Sequence, residues 1–179
     1  AGTVEFLVEG TGDDATLAFL EMNTRLQVEH PVTEAVTGRD LVHAQLEVAS
    51  GAALPWSQDQ ISVRGHAIEC RVYAEHPADH FLPDSGMLLR YQEPVGPGIR
   101  VDTGVVTGSL VSSHYDALLA KVITHADTRA TALARAGAAL ARFVVLGVRT
   151  NIELIGRVLR HPRVVDGRVD TAFLESELD

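Results

Sequence analysis

The stretch Glu21–Glu34 has the sequence EMNTRLQVEHPVTE, and its first ten residues are the densest polar run in the chain. It continues from an apolar segment, Leu17–Met22, whose composition favours a β-strand. If the backbone stays extended beyond that strand, alternate side chains point to the same side, because successive residues of a strand face opposite ways. The side chains that would then share one face are those of Glu21, Asn23, Arg25, Gln27 and Glu29.

That face would combine two carboxylates, two amides and a guanidinium, and Glu5 on the preceding predicted strand could add a third carboxylate. Carboxylate and amide oxygens suit Mg²⁺, which takes few protein ligands. An arginine fork suits a small planar oxyanion, and a further carboxylate within reach could act as a general base. The same pattern also fits a solvated strand edge with surface ion pairs, and spacing alone leaves both interpretations open.

The elements on either side of this stretch are predicted from local composition. Thr3–Val8 and Leu17–Met22 are expected to pair as a hairpin across a turn rich in glycine and aspartate. Two short helices follow, the first over Pro31–Thr37 and the second over Leu41–Ala49, with Asp40 as the N-cap of the second.

A polar connection at residues 56–62 predicts a boundary between a domain over residues 1–55 and a domain over residues 63–179. Alternation predicts a strand over Ala67–Ala74, and period alone leaves Leu118–Thr124 open between strand and helix. Other strands are predicted over Met87–Gln92, Ile99–Val101 and Val105–Val111. Thr128 is expected to cap a helix whose apolar face continues through Phe143 and Val144, and Asn151–Leu159 is expected to form another.

Composition excludes several classes of protein. The chain has 179 residues and a formal net charge of −9, which argues against a general binder of nucleic acid or of anionic membranes. No apolar run approaches the roughly 18 residues of a membrane span. The single cysteine excludes an intrachain disulfide and is typical of a reducing compartment. Because the sequence begins at Ala1 and enters an apolar segment at once, we expect a processed chain or a piece of a longer protein.

Three single residues have both a structural and a functional interpretation. Cys70 falls on the apolar face of its predicted strand, so a buried structural role is expected rather than a nucleophile. Lys121, the only lysine, lies outside the polar stretch, and we expect a structural or interface cation rather than a phosphate ligand. His30 could orient Glu29 or cap the helix that follows, and capping or packing is the favoured interpretation.

The stretch Glu21–Glu34 resembles the signature of the biotin carboxylases, which are ATP-grasp enzymes. Further matching segments follow in the same order over nearly the whole chain: Arg64–Arg71 (RGHAIECR), Ala74–Glu75, Phe81–Pro83 (FLP), Tyr115–Asp116, Lys121 and Gly147–Asn151 (GVRTN). The resemblance implies an α+β fold. Residues 1–55 would be the closing strands of an ATP-grasp unit, and residues 63–179 the family's carboxyl-terminal domain, with a mostly antiparallel sheet and packed helices.

The resemblance also implies a metal and nucleotide site. The positions that match the family's Mg²⁺ (or Mn²⁺) ligands, which bridge to the ATP phosphates, are Glu5, Glu21 and Asn23. Leu7 and Thr171 match positions that line the adenine, and Glu21 belongs to the ATP-binding set as well.

The bicarbonate and biotin sites follow from the same resemblance. Arg25 matches the arginine that grips bicarbonate, and Gln27 with the backbone of Val28 completes that pocket. Glu29 matches the base that deprotonates bicarbonate. Arg100, after the Gly-Pro-Gly turn, matches the arginine that steadies the biotin enolate.

The implied activity is ATP- and bicarbonate-dependent carboxylation of biotin through carboxyphosphate. Biotin would sit on a carrier protein or domain outside this chain, and the other expected partners are a carboxyltransferase subunit, the missing amino-terminal half and a second copy. The family's glycine-rich lid and several phosphate-contacting lysines would lie before Ala1, so this chain holds half-sites and is expected to be inactive alone. A cytoplasmic acetyl- or propionyl-CoA carboxylase alpha subunit is the preferred assignment.

Two other functions remain open at this point. A non-catalytic dimerisation or carrier-docking module could share the fold, although such a module has no need of the ordered acid, amide and arginine series in Glu21–Glu29. Another ATP-grasp ligase could share the metal pair, but the segments RLQVEHPVTE and RGHAIECR favour a biotin carboxylase.

Overall fold

The computed structural model describes residues 2–10 and 12–177. The chain divides into two compact units, an amino-terminal unit of residues 1–63 and a carboxyl-terminal unit of residues 64–179. The polar connection at residues 56–62 thus belongs to the first unit. Arg39 accounts for this, because its Nη2 donates to the Gln60 carbonyl at 2.9 Å and its guanidinium lies 5.4 Å from the Trp56 ring.

The amino-terminal unit is a two-stranded antiparallel hairpin followed by two helices. The elements are β1 (Thr3–Glu9), β2 (Thr16–Asn23), α1 (His30–Thr37) and α2 (Leu41–Ala49). Helix α1 has Pro31 in its first turn and ends at Gly38, whose φ of +68° is readily adopted by glycine. Asp40 caps α2 as predicted, and its side chain accepts a hydrogen bond from the His43 amide at 2.7 Å.

The hairpin exposes apolar side chains on both faces. Eight large apolar residues are between 45% and 67% exposed: Val4, Phe6, Leu7, Val8, Leu17, Phe19, Leu20 and Met22. A two-stranded sheet in water is marginal, and an apolar surface of this extent marks a contact site.

The carboxyl-terminal unit is built on a three-stranded antiparallel sheet in the order β3-β10-β8, with small two-stranded ladders around it. Its strands are β3 (His66–Tyr73), β4 (Glu75–His76), β5 (Leu82–Pro83), β6 (Gly86–Met87), β7 (Arg90–Gln92), β8 (Ile99–Thr103), β9 (Leu110–Val111), β10 (Leu118–Ala126) and β11 (Val144–Leu146). Its helices are α3 (Arg129–Leu140), α4 (Ile152–Arg160), α5 (Pro162–Val165) and α6 (Phe173–Glu177). The predicted α+β class is confirmed.

Helix α3 covers one face of the central sheet. Thr128 caps it, and buried alanine and leucine side chains of the helix pack on apolar residues of β3 and β10. The buried members of this core include Cys70, Val72, Ala120, Val122, Leu133, Ala136, Ala139 and Leu140. A second cluster contains Ala74, Leu88, Val111 and Leu119.

Three predicted elements differ from the structure. The strand expected over Met87–Gln92 is divided into β6 and β7, because the Leu88 amide donates to the Ser109 carbonyl and the next amide, that of Leu89, donates to the Leu146 carbonyl. The strand expected over Val105–Val111 is reduced to β9, because the Thr107 hydroxyl takes the place of a backbone partner, accepting from the Tyr91 amide at 2.9 Å. The apolar face expected to extend α3 through Val144 is interrupted, because α3 ends at Leu140 and Val144 begins β11. The open segment Leu118–Thr124 is a strand.

Within the part of the chain that the structure describes, none of the helices is both long enough and apolar enough to cross a bilayer.

Asn151 joins the start of α4 to β3 although it is polar and only 8% exposed. Its Oδ1 accepts from the Tyr73 amide at 3.0 Å, and its Nδ2 donates to the Arg71 carbonyl at 3.1 Å. Both polar ends of the side chain are therefore satisfied by the edge of the sheet.

Cys70 should be inert in the folded chain. Burial, together with the neighbouring Glu69 carboxylate, raises the pKa of the Cys70 thiol to about 12. At pH 8 this lowers the thiolate fraction by about 10³-fold relative to an unperturbed thiol. We expect labelling by iodoacetamide to be slower in native than in urea-unfolded chain by at least that factor, as measured by intact mass. Equal rates in the two states would contradict the buried placement.

Replacing Asn151 by alanine should destabilise the carboxyl-terminal unit by about 1–3 kcal/mol, because it leaves backbone groups of β3 without partners. The single cysteine lies in this unit, so the urea concentration at which Cys70 becomes reactive reports its unfolding. Arg157→Ala, an exposed truncation on the same helix, is the control and should leave the midpoint unchanged. A midpoint for Asn151→Ala equal to that of the control would show that these hydrogen bonds contribute nothing.

Candidate functional site

Two carboxylates face each other at the end of the hairpin. Glu5 on β1 is the direct partner of Glu21 on β2. The Asn23 side chain links them, since its Nδ2 donates to Glu5 Oε1 at 2.8 Å and to Glu21 Oε1 at 3.1 Å. The expectation that Glu5 would join the polar face of β2 is met by this geometry.

A β-bulge adjoins this pair. The register passes from Glu5 opposite Glu21 to Phe6 opposite Phe19, so Leu20 is the extra residue on β2. Bulges re-aim side chains and are common beside functional sites. Like charges directly opposite each other destabilise a sheet, and the shared Asn23 amide offsets part of that repulsion here.

The backbone does not stay extended beyond Asn23, and the expectation of one continuous extended face to Glu29 is wrong. Strand β2 ends at Asn23, and residues 24–29 turn into helix α1. His30 closes the turn, because its amide donates to the Gln27 carbonyl at 3.3 Å and its ring Nδ1 lies 2.7 Å from the same oxygen. His30 therefore holds the turn that starts the helix, but it does not cap α1 as expected: it is the first residue of the helix, and its ring contacts a carbonyl that precedes the helix.

Gln27 returns to the carboxylate pair by means of this turn. Its Nε2 donates to Glu5 Oε1 at 3.0 Å, so one carboxylate oxygen accepts from both Gln27 and Asn23. The turn thus recovers, across 22 residues of sequence, a contact that an extended strand would have lost.

A cavity of about 790 Å³ adjoins Gln27 within the amino-terminal unit. Arg25, Gln27 and Glu29 line it together, with Trp56 and one side of helix α2 completing the wall. Arg25 Nη1 also donates to the Leu26 carbonyl at 3.3 Å. Three of the residues assigned to bicarbonate therefore share one cavity, while Val28 is half-buried in the turn.

The donor set around Asn23 fits a divalent cation. Two carboxylates and an amide converge, and turning the amide about its last torsion would put Oδ1 where Nδ2 now lies. Hard oxygen donors of this kind suit Mg²⁺. Among residues 2–10 and 12–177 no group of three histidine, cysteine, aspartate or glutamate side chains could hold a metal ion, so Glu29 does not join Glu5 and Glu21 in such a group.

Arg100 lies in the carboxyl-terminal unit on strand β8. Its Nε donates to Asp102 Oδ1 at 2.7 Å and its Nη2 donates to Asp102 Oδ2 at 2.9 Å. The Lys121 ammonium lies 3.5 Å from Asp102 Oδ2, which accords with the structural role expected for that lysine. Burial acts to raise the pKa of Asp102, but the hydrogen bond and charge of Arg100, with those of Lys121, outweigh it and lower the pKa.

The two positions assigned to the adenine lie in different units. Leu7 is exposed on β1, two residues beyond Glu5. Thr171 is exposed just before helix α6. Its neighbour Asp170 is held by Arg163, whose Nη2 donates to Asp170 Oδ2 at 2.7 Å.

The sequence-based interpretation missed the bracing role of His30, the contact of Gln27 with Glu5, and Asp102. A signal for Asp102 was present, because residues two apart on a strand share a face and Asp102 follows Arg100 at that spacing. The His30 and Gln27 contacts depend on the turn, which strand periodicity does not reveal.

Two family models match the chain. The model described as biotin carboxylase C-terminal domain matches residues 69–176. The model described as carbamoyl-phosphate synthase L chain, ATP binding domain, matches residues 1–57.

Similar proteins agree with these matches. A biotin carboxylase of Halalkalibacterium halodurans is 48% identical over 177 residues, covering 99% of this chain and 38% of that protein. The human mitochondrial propionyl-CoA carboxylase alpha chain is 49% identical over 176 residues, covering 97% of this chain and 24% of that protein. The curated relatives extend well beyond it, since this chain spans 24% to 39% of their length.

A solved structure has the same fold. The biotin carboxylase domain dimer of Hydrogenobacter thermophilus 2-oxoglutarate carboxylase, in complex with MgADP, ADP and bicarbonate, superposes with a TM-score of 0.91 at 41% identity. The match covers 97% of this chain and 38% of that one.

Replacing Asn23 by leucine should destabilise the amino-terminal unit by about 1 kcal/mol at low ionic strength, because Glu5 and Glu21 lose their shared donor and repel each other. Trp56 is the only tryptophan, so its fluorescence during urea unfolding reports this unit. Added salt or the double variant Glu21→Gln/Asn23→Leu should restore much of the loss, since screening or neutralisation removes the repulsion. A loss that neither treatment reduces would contradict the electrostatic cause.

Proposed function

This chain belongs to the biotin carboxylase family, and on that basis we propose that it is the carboxyl-terminal part of an ATP-dependent ligase that carboxylates biotin with bicarbonate. The chain spans less than half of its relatives, so the reaction is proposed for the longer protein that carries it.

The observation that carries the proposal is the connection made by Gln27. This side chain donates to Glu5 in the carboxylate cluster and also lines the cavity that contains Arg25 and Glu29. A cation site and an oxyanion site are therefore adjacent within one unit. Phosphoryl transfer from a metal-bound nucleotide to a small anion needs this adjacency.

Glu5, Glu21 and Asn23 would hold Mg²⁺ or Mn²⁺ through their oxygens. The ion, when bound, supplies charge neutralisation of the ATP phosphates. The Hydrogenobacter carboxylase domain binds MgADP and bicarbonate in one complex, which supports the same pair of ligands here.

Arg25 would orient bicarbonate through paired N–H donors, and Gln27 with the Val28 backbone would complete the pocket. Glu29 takes the bicarbonate proton, and an oxygen of the resulting anion attacks the γ-phosphorus, so that ADP leaves and carboxyphosphate forms. Carboxyphosphate breaks down to CO₂ and phosphate, and the phosphate takes the N1′ proton of biotin. Arg100 would stabilise the charge that develops on the ureido oxygen as N1′ attacks CO₂.

The exposed apolar side chains of the hairpin support the proposal that this chain is part of a larger protein. Both faces of β1 and β2 carry exposed apolar side chains, and an amino-terminal half of the ATP-grasp unit would bury them and supply further nucleotide contacts, with Leu7 and Thr171 lining the adenine. Because the sites here are half-sites, we propose that the isolated chain is inactive.

The finer assignment is an acetyl- or propionyl-CoA carboxylase alpha subunit acting in the cytoplasm. Its partners would be a biotin carrier protein or domain, a carboxyltransferase subunit and a second copy. The similarity to a propionyl-CoA carboxylase alpha chain supports this choice of acceptor.

Replacing Glu29 by glutamine in the full-length enzyme should lower bicarbonate-dependent ATP cleavage by at least about 10²-fold, the usual effect of losing a general base. The assay is ADP release with and without bicarbonate. Glu47→Gln on α2 is the matched control, because Glu47 does not line the cavity, and should retain activity. Full activity in Glu29→Gln would show that Glu29 is not the general base. Absence of bicarbonate-dependent cleavage in the unmodified enzyme would favour a non-catalytic module.

A further inference from the structure

Asp102 holds the Arg100 guanidinium by two parallel hydrogen bonds. Both residues lie on β8, two positions apart, so their side chains leave the same face of the sheet. The bonds join Nε to Oδ1 at 2.7 Å and Nη2 to Oδ2 at 2.9 Å. A fork held at two points has a fixed plane as well as a fixed position, which a single contact would not give.

Lys121 contributes a second cation to the same carboxylate. It is the direct partner of Asp102 in the β8–β10 register, and its ammonium lies 3.5 Å from Asp102 Oδ2. The Lys121 side chain is only 13% exposed, against 46% for Arg100. The three groups carry a net charge of +1, so Asp102 orients Arg100 without leaving the site neutral.

We propose that Asp102 and Lys121 are positioning residues that fix the Arg100 guanidinium for the biotin half of the reaction. The inference rests on the proposed function, in which Arg100 stabilises the ureido oxygen of biotin. Asp102 would set the plane of the fork, and Lys121 would hold Asp102 and offset its charge.

The Arg100 side chain needs partners that restrain it because an arginine side chain is conformationally flexible. A half-exposed arginine samples many rotamers, whereas stabilisation of a developing charge requires donors that are already aimed at the oxygen. Small errors in such placement lower rates steeply. The lowered pKa of Asp102 keeps the carboxylate ionised at neutral pH, so the brace is present throughout the working range.

Residue spacing alone does not give an ion pair a positioning role, and an exposed pair in the same unit serves for comparison. Asp166 and Arg168 form such a pair in the same unit, also two residues apart, with Arg168 74% exposed. Pairs of this kind contribute little. Asp166→Asn is therefore a matched control for Asp102→Asn.

The test uses the full-length enzyme and compares Arg100→Ala, Asp102→Asn, their double variant and Asp166→Asn. Two rates are measured, carboxylation of free biotin and bicarbonate-dependent ATP cleavage without biotin. Asp102→Asn should lower kcat for biotin carboxylation by about 10-fold or more and should lose a smaller factor in ATP cleavage. The double variant should be no slower than Arg100→Ala, because the brace has nothing left to position. Asp166→Asn should match the unmodified enzyme.

Further variants keep the inference testable if Asp102→Asn folds poorly, which Cys70 labelling would reveal. Asp102→Glu, which retains the carboxylate, should recover part of the rate. Lys121→Gln should show the same selective loss as Asp102→Asn.

Two results would overturn the inference. Independent, multiplicative losses in the double variant, or equal losses in both rates, would mean that Asp102 acts through general stability. An Arg100→Ala enzyme that carboxylates biotin normally would overturn the role of Arg100 in the proposed function together with this inference.

Discussion

The carboxylates of Glu5 and Glu21 lie directly opposite each other on paired strands and repel each other. Neighbouring side chains of the amino-terminal unit offset that repulsion. Asn23 donates to both, and Gln27 is brought back by the turn after β2 to donate to Glu5 as well. The His30 contact with the Gln27 carbonyl keeps that turn closed. A pair that would be unfavourable alone is thereby stabilised, and the cavity lined by Arg25 and Glu29 lies next to it.

In the carboxyl-terminal unit, strand alternation places apolar and charged side chains on opposite faces of the sheet. On β3, Cys70 and Val72 point into the core under α3, while Glu69 and Arg71 leave by the opposite face. Strands β8 and β10 continue the division, so that the charged side chains lie on the face opposite α3, together with Ile123, which is only 2% exposed. Burial of the first face gives the opposite face a rigid base, which the proposed role of Arg100 would require.

Alternation and composition predicted the hairpin, the first two helices, the β3 strand and the burial of Cys70, because each depends on neighbours within a few residues. The approach of Glu5 to Glu21 also followed from pairing of the two strands. The turn at residues 24–29 did not, since nothing local ends β2 at Asn23. The prediction of a strand over Val105–Val111 was wrong for a related reason. A threonine hydroxyl accepts the hydrogen bond that a backbone carbonyl was expected to accept, and sequence periodicity does not reveal such a contact.

The bulge at Leu20 divides the hairpin into parts with different tolerance to changes in length. Insertions at the tip, between Glu9 and Thr16, lie beyond the last paired residues and leave the register of the ladder unchanged. Loss of one residue between Phe19 and Glu21 would instead remove the bulge, so the strand would lose the local bend and added twist that the bulge gives it beside the Glu5–Glu21 pair. Natural variation and loop engineering should therefore respect a fixed count across these three positions while the tip changes freely.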